Sequence, residues 1–298
     1  MAPSFDDRDG LIWFDGKMTP WREAKLHVLT HGLHYASSVF EGERAYGGTI
    51  FKLREHTERL FASARSLAFE IPYTLDEIDA ACRQVVAENG LVDAYVRPVA
   101  WRGSEMMAVA AQNSTIHVSV ATWPWPSMYD PKEKLKGVRL AWASWRRPDP
   151  ATIPAKTKAS GLYMICTLSK HEAEAAGYHD ALMLDWRGYV AEATGANVFF
   201  VKEGVLMTPI PDCILDGITK RTVTDLARKR GIEVVERRID GSEIAPGAFD
   251  ECFIVGTAAE VTPVASVGDV AFPSREVCGL LMGDYARLVR GEAEQAVA

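Results

Sequence analysis

The chain has 298 residues, more than one core comfortably fills, so two domains, or one large one, are expected. Hydrophobic residues at 48% and charged residues at 24% are ordinary for a soluble globular protein, and a net charge of -7 argues against a nucleic-acid surface. Five scattered cysteines, odd in number and never in a CxxC pair, argue against a disulfide framework or a zinc site; they fit reduced, mostly buried thiols and no metal. The opening M-A-P-S-F-D-D-R-D-G is acidic where a signal peptide would be basic and then apolar, and no apolar run approaches bilayer length. These features predict a cytoplasmic protein without a membrane contact.

The chain opens with a hairpin, Leu11 to Phe14 meeting Asp15-Gly16, the dipeptide that favours a type I′ turn, with Lys17-Met18 returning. A second hairpin-like unit covers Ser38 to Leu53, turning at Gly47-Gly48. Between them the stretch H-G-L-H-Y-A-S-S-V-F-E-G-E-R, 31 to 44, is denser in aromatic, small and basic residues than a plain strand needs. Arg54 onward reads as a helix through Leu60, Ala64 and Leu67, with Pro72 at its end. Arg59, beside the apolar Leu60, either points inward at an anion or sits solvated at the helix edge. A second helix runs from Leu75 to Asn89. The following strand puts Tyr95 and Arg97 on one face, which suits carboxylate recognition or a structural ion pair.

After the apolar run Ile116 to Ala121, the segment W-P-W-P-S-M-Y-D-P-K-E-K-L-K-G, 123 to 137, is broken by Pro124, Pro126 and Pro131 and reads as the interdomain loop. Trp123, Trp125 and Tyr129 there would line a pocket or cover the junction. The expected domains are therefore 1–122, a small α/β domain, and 138–298, the large domain. A strand at Val138 to Ala143 precedes A-K-T-K-A-S-G-L-Y, residues 155 to 163. Lys158 stands before Ala159, Ser160 and Gly161, with Tyr163 following: an amine in a small-residue setting with a nearby phenol, able to form a Schiff base, or one surface lysine among many.

Helix Leu162 to Ala176 carries Leu162, Ile165 and Leu168 as its expected inner stripe. A hairpin about Trp186-Arg187-Gly188 leads into the strand V-A-E-A-T-G-A-N-V-F-F, 190 to 200. There the carboxylate of Glu192, in a small apolar run, requires a cation: a protonated pyridine nitrogen or an arginine. Strand Val205 to Pro209 leads to Gly217, Ile218 and Thr219 at a helix N-terminus, suited to phosphate, with Thr219 alternatively a plain N-cap. Strand Ile232 to Ile239 follows. Phe253 to Val255 runs into Gly256-Thr257-Ala258-Ala259-Glu260, a second set of backbone donors with a hydroxyl. A last helix starts near Ser274 with Leu280, Leu281, Tyr285 and Leu288. There is no GxGxxG, Walker loop, HExxH or GxSxG.

In chain order, H-Y-A-S-S-V-F-E-G-E-R, R-E-H-T-E-R-L, A-Y-V-R-P, T-I-P-A-K-T-K-A-S-G-L-Y, E-A-T-G-A-N-V-F-F and G-I-T-K-R resemble the motifs of fold-type IV pyridoxal-phosphate enzymes, most closely the branched-chain amino acid aminotransferases. The resemblance implies two α/β domains (a D-amino acid aminotransferase-like, α+β / α/β architecture), pyridoxal 5′-phosphate between them, and a homodimer as the minimal unit. It implies Lys158 as the Schiff-base lysine, chosen over Lys156 because it directly precedes the Ala-small-Gly-x-Tyr run. Tyr163 then resembles the phenol on the ring O3′, and Glu192 the carboxylate on the pyridine nitrogen. Arg59, Gly217, Ile218, Thr219 and Thr257 resemble the phosphate cup.

For the substrate, Tyr95 with the backbone at Thr257-Ala258 resembles the α-carboxylate holders, and Arg97 the group meeting a distal carboxylate. Tyr35, Phe40, Gly42 and Trp125 resemble the apolar pocket, and Arg44 belongs with the substrate group. The implied reaction moves an amino group between leucine, isoleucine or valine and 2-oxoglutarate in two half-reactions. Two departures stand out. Ala196 replaces a second acid found in many relatives, and the loop W-R-G-S-E-M-M-A-V-A-A, 101 to 111, differs from the enterobacterial type. D-amino acid transaminases, R-selective amine transaminases and aminodeoxychorismate lyases share the lysine, and a non-enzymatic binding module is the reading from another class.

Overall fold

A computed structural model describes residues 4–125 and 134–292. The chain divides into two compact units: the described residues of Met1–Ser127 with Thr157–Gly161, and those of Met128–Lys156 with Leu162–Ala298. This division differs from the expected boundaries at 122 and 138. Strand pairing carries the first unit to Pro124, and the segment around Lys158 belongs with it. The reason is hydrogen bonding: Phe40 N–H donates to the Lys158 carbonyl (3.1 Å), Lys158 N–H donates to Ser63 Oγ (3.2 Å), and Val39 bridges Ala159. Of the expected loop 123–137, residues 126–133, Tyr129 and Lys132 among them, lie outside the described residues.

In the first unit, β1 (Leu11–Phe14) and β2 (Lys17–Pro20) form the expected hairpin. Asp15 and Gly16 both have positive φ (45° and 86°), as a type I′ turn demands. Helix α1 (His31–Tyr35) precedes β3 (Ser38–Phe40), β4 (Glu43–Tyr46) and β5 (Thr49–Ile50). Gly47 and Gly48, at φ 58° and 83°, turn β4 into β5. The second hairpin thus stops at Ile50, and Leu53 opens the next helix.

That helix, α2 (Leu53–Ser66), ends six residues before Pro72. Ala68 takes a left-handed φ of 57°, and the N–H groups of Ala68 and Phe69 return to the carbonyls of Arg65 and Ala64, closing the helix locally. Helix α3 (Leu75–Glu88) starts on a capping box between Thr74 and Glu77. Strands β6 (Ala94–Arg102) and β7 (Ile116–Pro124) complete a sheet ordered β2-β1-β7-β6-β4-β5, with β3 also pairing β6. Helices α2 and α3 pack on it, burying Leu60, Ile78 and Val85 with Val96, Val118 and Val120.

The second unit holds β8 (Val138–Trp142), α4 (Met164–Ala175), β9 (Asp180–Leu184), β10 (Val190–Ala193), β11 (Asn197–Lys202) and β12 (Val205–Pro209). Next come α5 (Ile218–Lys229), β13 (Val234–Arg237), β14 (Glu251–Gly256), β15 (Glu260–Val267), β16 (Val270–Ala271) and α6 (Glu276–Val289). The sheet order is β10-β9-β8-β15-β14-β11-β12-β13, with β16 on β15. The pairs β8–β9, β8–β15 and β12–β13 are parallel. Phe200, Phe249, Phe272, Ile254 and Leu182 fill its core.

Two expectations are corrected in this unit. The run 190 to 200 is two strands: Ala193 N–H bonds the Ala196 carbonyl (2.8 Å), and the chain changes partner from β9 to β12 and β14. In α4 the buried stripe is Cys166, Ser169 and Ala173 following Leu162, while Leu168 is exposed, because a 3.6-residue repeat alternates steps of four and three and a row of strict threes drifts off the buried face. In α6 the inward positions are Cys278, Leu281, Tyr285 and Val289, and Leu280 faces outward. All five cysteines are free and buried, as their scatter implied. No described helix is long and apolar enough to cross a membrane.

Candidate active site

In the first unit the Phe40 ring is a pivot. Lys158 Nζ lies 4.9 Å from its centroid, and the Arg97 guanidinium carbon lies 4.7 Å from it. The alternation of β6 does bring Tyr95 and Arg97 to one face: Arg97 Nη2 donates to Tyr95 Oη at 3.1 Å. Tyr95 stacks on Trp123 (5.1 Å, 22°) and tilts against Trp125 (5.3 Å). A Cβ at Gly42 would fall 2.0 Å from Tyr95 Oη, so the phenol occupies space that only glycine leaves open. Arg44 is buried; its Nη2 donates to the Trp125 carbonyl (3.0 Å) and its guanidinium lies over Tyr46. Tyr35 is half exposed and stacks on His31 (4.6 Å).

Arg59 points inward at an anion, and that anion is Glu41. Its Nε and Nη2 bond Oε1 and Oε2 at 2.7 and 2.8 Å, and His56 Nδ1 reaches Oε2 at 2.8 Å. Burial alone would raise the Glu41 carboxyl; Arg59, and then His56, outweigh it and hold the group well below the ordinary carboxylate range. Burial lowers the His56 pKa against the pull of Glu41, with Arg59 and Lys158 adding to the fall. Sequence reading missed Glu41 and His56 as partners. The helical spacing of His56 and Arg59, three apart and so on one face, was the available signal.

In the second unit Glu192 has the arginine partner that its burial required. Arg147 Nε lies 3.3 Å from Oε1, and Asn197 Nδ2 is 3.4 Å from Oε2. Burial pulls the Arg147 pKa down, but the Glu192 charge, with smaller contributions from Cys166, Tyr163 and Cys213, outweighs it and raises the pKa. Arg147 Nη1 also reaches the Leu162 carbonyl (3.5 Å), next to Tyr163, the residue on which α4 opens.

Asn197 extends the network by donating to the Leu215 carbonyl (3.0 Å). A Cβ on Gly217 would collide with Asn197 Oδ1 at 2.2 Å, so glycine at the cap of α5 lets the two segments meet. No side chain caps α5, where Ile218 and Thr219 are buried and leave backbone N–H groups at a dipole's positive end. A Cβ on Gly256 would lie 3.3 Å from the Gly195 carbonyl, a tight but milder approach, which puts the turn carrying Thr257 and the exposed Ala258 beside the bend after Glu192. Ala196 is buried in that bend, and Asn197 supplies the Glu192 contact. Arg147 and Asn197 were not singled out from the sequence; the former lies 45 positions from Glu192, and no local pattern links them.

Within the first unit an amine stands against an aromatic face. Within the second, a carboxylate paired with a buried guanidinium suits a pyridine nitrogen, and an uncapped helix N-terminus with a buried hydroxyl residue suits a phosphate.

Residues 38–267 match the model of the family described as Amino-transferase class IV. A branched-chain-amino-acid aminotransferase of Pseudomonas aeruginosa is 43% identical over 268 residues, 89% of this chain and 87% of that one. The corresponding Escherichia coli K12 protein is 41% identical over 266 residues, covering 87% and 85%. Among solved structures, the T.th. branched-chain amino acid aminotransferase with pyridoxamine 5′-phosphate superposes with a TM-score of 0.92 at 39% identity, covering 96% of both chains. These likenesses bear out the fold-type IV architecture expected from the motifs. With Lys158, Tyr163, Glu192, Thr219 and Thr257 all inside a matched span of well over half its length, the chain belongs to the class IV aminotransferase family.

Proposed function

We propose that this chain is a pyridoxal-phosphate transaminase that moves the amino group between branched-chain L-amino acids and 2-oxoglutarate. The observation that carries the reading is the Phe40 ring, over which the Lys158 amine and the Arg97 guanidinium both lie, at 4.9 and 4.7 Å. An amine for the chemistry and a cation for a carboxylate thus share one apolar wall. Pyridoxal phosphate, when bound, supplies the electron sink for the pair left at substrate Cα. Lys158 would hold it covalently and, once freed by the substrate amine, take the Cα proton and return it as general base and then acid.

The remaining roles follow from the chemistry of each group. Glu192, kept in place by Arg147 and Asn197, would hold the proton on the ring nitrogen, and Tyr163 would hydrogen-bond the ring oxygen. Arg59, Gly217, Ile218, Thr219 and Thr257 would hold the phosphate. Tyr95, Thr257 and Ala258 would receive the α-carboxylate, and Arg97 the distal carboxylate of glutamate. Phe40, Gly42, Tyr35 and Trp125 would form apolar walls, with Arg44 fixing Trp125 through its carbonyl.

A homodimer fits the surface of the first unit. Leu26, Val28, Leu29 and Leu33 are exposed in one segment, which His31 pins to the loop carrying exposed Met107 and Val109 through bonds to the Gly103 and Ala108 carbonyls. Five free thiols and an acidic balance support a cytoplasmic setting. The names of the relatives favour this reading over a D-amino acid or R-amine transaminase.

The test mixes the loaded enzyme with L-leucine, D-alanine and an R-configured aryl-alkyl amine while cofactor absorbance is followed, with borohydride reduction and peptide mapping in parallel. Leucine is expected to bleach the band fastest and the tag to fall on Lys158. A response to the amine alone overturns the substrate assignment; a tag on Lys156, or on no lysine, overturns the cofactor assignment.

A further inference from the structure

Helix α2 presents His56, Arg59 and Ser63 at intervals of three and four, hence on one face. That face does two things. Ser63 Oγ accepts the Lys158 N–H, and His56 and Arg59 close around Glu41, which sits in the turn between β3 and β4 with no exposed surface. The Glu41 carboxylate receives Arg59 through two parallel N–H bonds, the fork geometry that fixes a guanidinium plane. Since a carboxylate only accepts, the third bond is donated by His56 Nδ1–H, which fixes the ring's tautomer. Glu41 N–H is itself tied to the Pro98 carbonyl (2.8 Å) on β6, so the acid is anchored at both ends. The plane of the Arg59 guanidinium is therefore set by Glu41 before any ligand arrives.

From this arrangement, and resting on the cofactor reading above, we propose that Glu41 is a positioning residue for phosphate binding. It holds the Arg59 guanidinium in the orientation that receives the phosphate of pyridoxal phosphate, with His56 locking the acid in turn, and neither residue touches the cofactor. The alternative is a bond that only stabilises the fold. The two differ in one respect: a positioning role acts on the phosphate and not on the rest of the ligand.

The experiment uses the full chain freed of cofactor, as wild type, Glu41→Gln, Arg59→Lys and the double variant. Pyridoxal phosphate and pyridoxal, which lacks the phosphate, are titrated by tryptophan fluorescence, and the thermal midpoint without ligand is recorded. Partners that orient a ligating group are typically worth about ten- to a hundredfold in affinity. Glu41→Gln should thus weaken pyridoxal phosphate about ten- to a hundredfold and leave pyridoxal unchanged, and the double variant should be no worse than Arg59→Lys alone. Equal weakening of both ligands, additive effects in the double variant, or unchanged affinity with only a lower midpoint would each overturn the proposal. If Glu41→Gln does not fold, Glu41→Asp keeps the charge, shortens the reach, and must show the same selective loss of phosphate affinity. Absence of a borohydride tag on Lys158 in the wild type would bring down the cofactor reading itself, and this proposal with it.

Discussion

Replacing Glu43 with glutamine should remove a pH-dependent loss of stability from the first unit. Glu43 lies on β4 with no exposed surface; no nitrogen donor reaches either carboxylate oxygen among the described residues, and the Cys82 thiol lies beside it. Burial pushes its pKa well above the ordinary carboxylate range, and the charges of Glu41 and Asp79 push it further, with Cys82 and Arg59 opposing weakly. The unfolded chain releases this proton at the ordinary carboxylate pKa, whereas the folded chain keeps it. Stability is then full below the ordinary value and falls as pH rises, until the folded group ionises as well. One proton of difference sets the slope at about 1 to 1.5 kcal/mol per pH unit. Glutamine keeps the shape and cannot ionise, so whatever constant cost its buried amide adds, the wild-type curve should close on the variant's by that slope as pH rises. Urea unfolding followed by tryptophan fluorescence, at steps from about pH 5 to 8, measures the difference. Parallel stability curves across that range would refute the reasoning, because they would mean that Glu43 takes up and releases its proton alike in both states.

Two further substitutions test the neighbouring contacts. Gly42→Ala would drive the Tyr95 hydroxyl back by roughly 1.4 Å to reach ordinary contact, against the Trp123 stack and away from Arg97. It should cost about 1–3 kcal/mol in stability and raise the KM for glutamate about tenfold through the lost charge-assisted bond; an unchanged melting point and KM would contradict the geometry. Glu192→Gln leaves Arg147 buried without its counter-charge, so stability should fall by about 3–5 kcal/mol in calorimetry. The same variant should keep the borohydride tag on Lys158 while kcat drops about ten- to a hundredfold, the range for one lost hydrogen bond to a charged group; full kcat would remove Glu192 from its role.

Much of the fold was legible where a local rule decides it. Asp15-Gly16 and Gly47-Gly48 marked their turns because only those residues take paired positive φ cheaply. Tyr95 and Arg97 were legible as neighbours on one strand face, while Lys158, Tyr163 and Glu192 stand out as motif residues whose roles belong to the proposal above. What stayed hidden depends on partners distant in sequence or on backbone phase. The end of α2 was missed because Ala68, not glycine or proline, takes the left-handed position. The inner stripe of α4 slipped because Cys166, Ser169 and Ala173, small or polar residues, hold the buried positions while Leu168 lies off them. Arg147, outside any strand, was silent because its meaning lies in Glu192 on β10, and Glu41 because its meaning lies in α2. Asn197 carries no signal of its own in the strand pattern, and only the fold brings it against Glu192 and the glycine at 217.

The short stretch Thr157–Gly161 belongs to the first unit, while the residues on both sides of it belong to the second. This stitch means that the polypeptide cannot be divided into two self-sufficient modules by a single cut. A fragment ending near position 127 would keep Phe40 and Ser63 but forfeit the lysine that they contact. A fragment beginning after it would keep the amine on a peptide stripped of its hydrogen-bonding partners. Gene fusion, shuffling of halves or circular permutation would each have to carry this crossing intact, which ties the inheritance of the lysine to both parts of the chain at once.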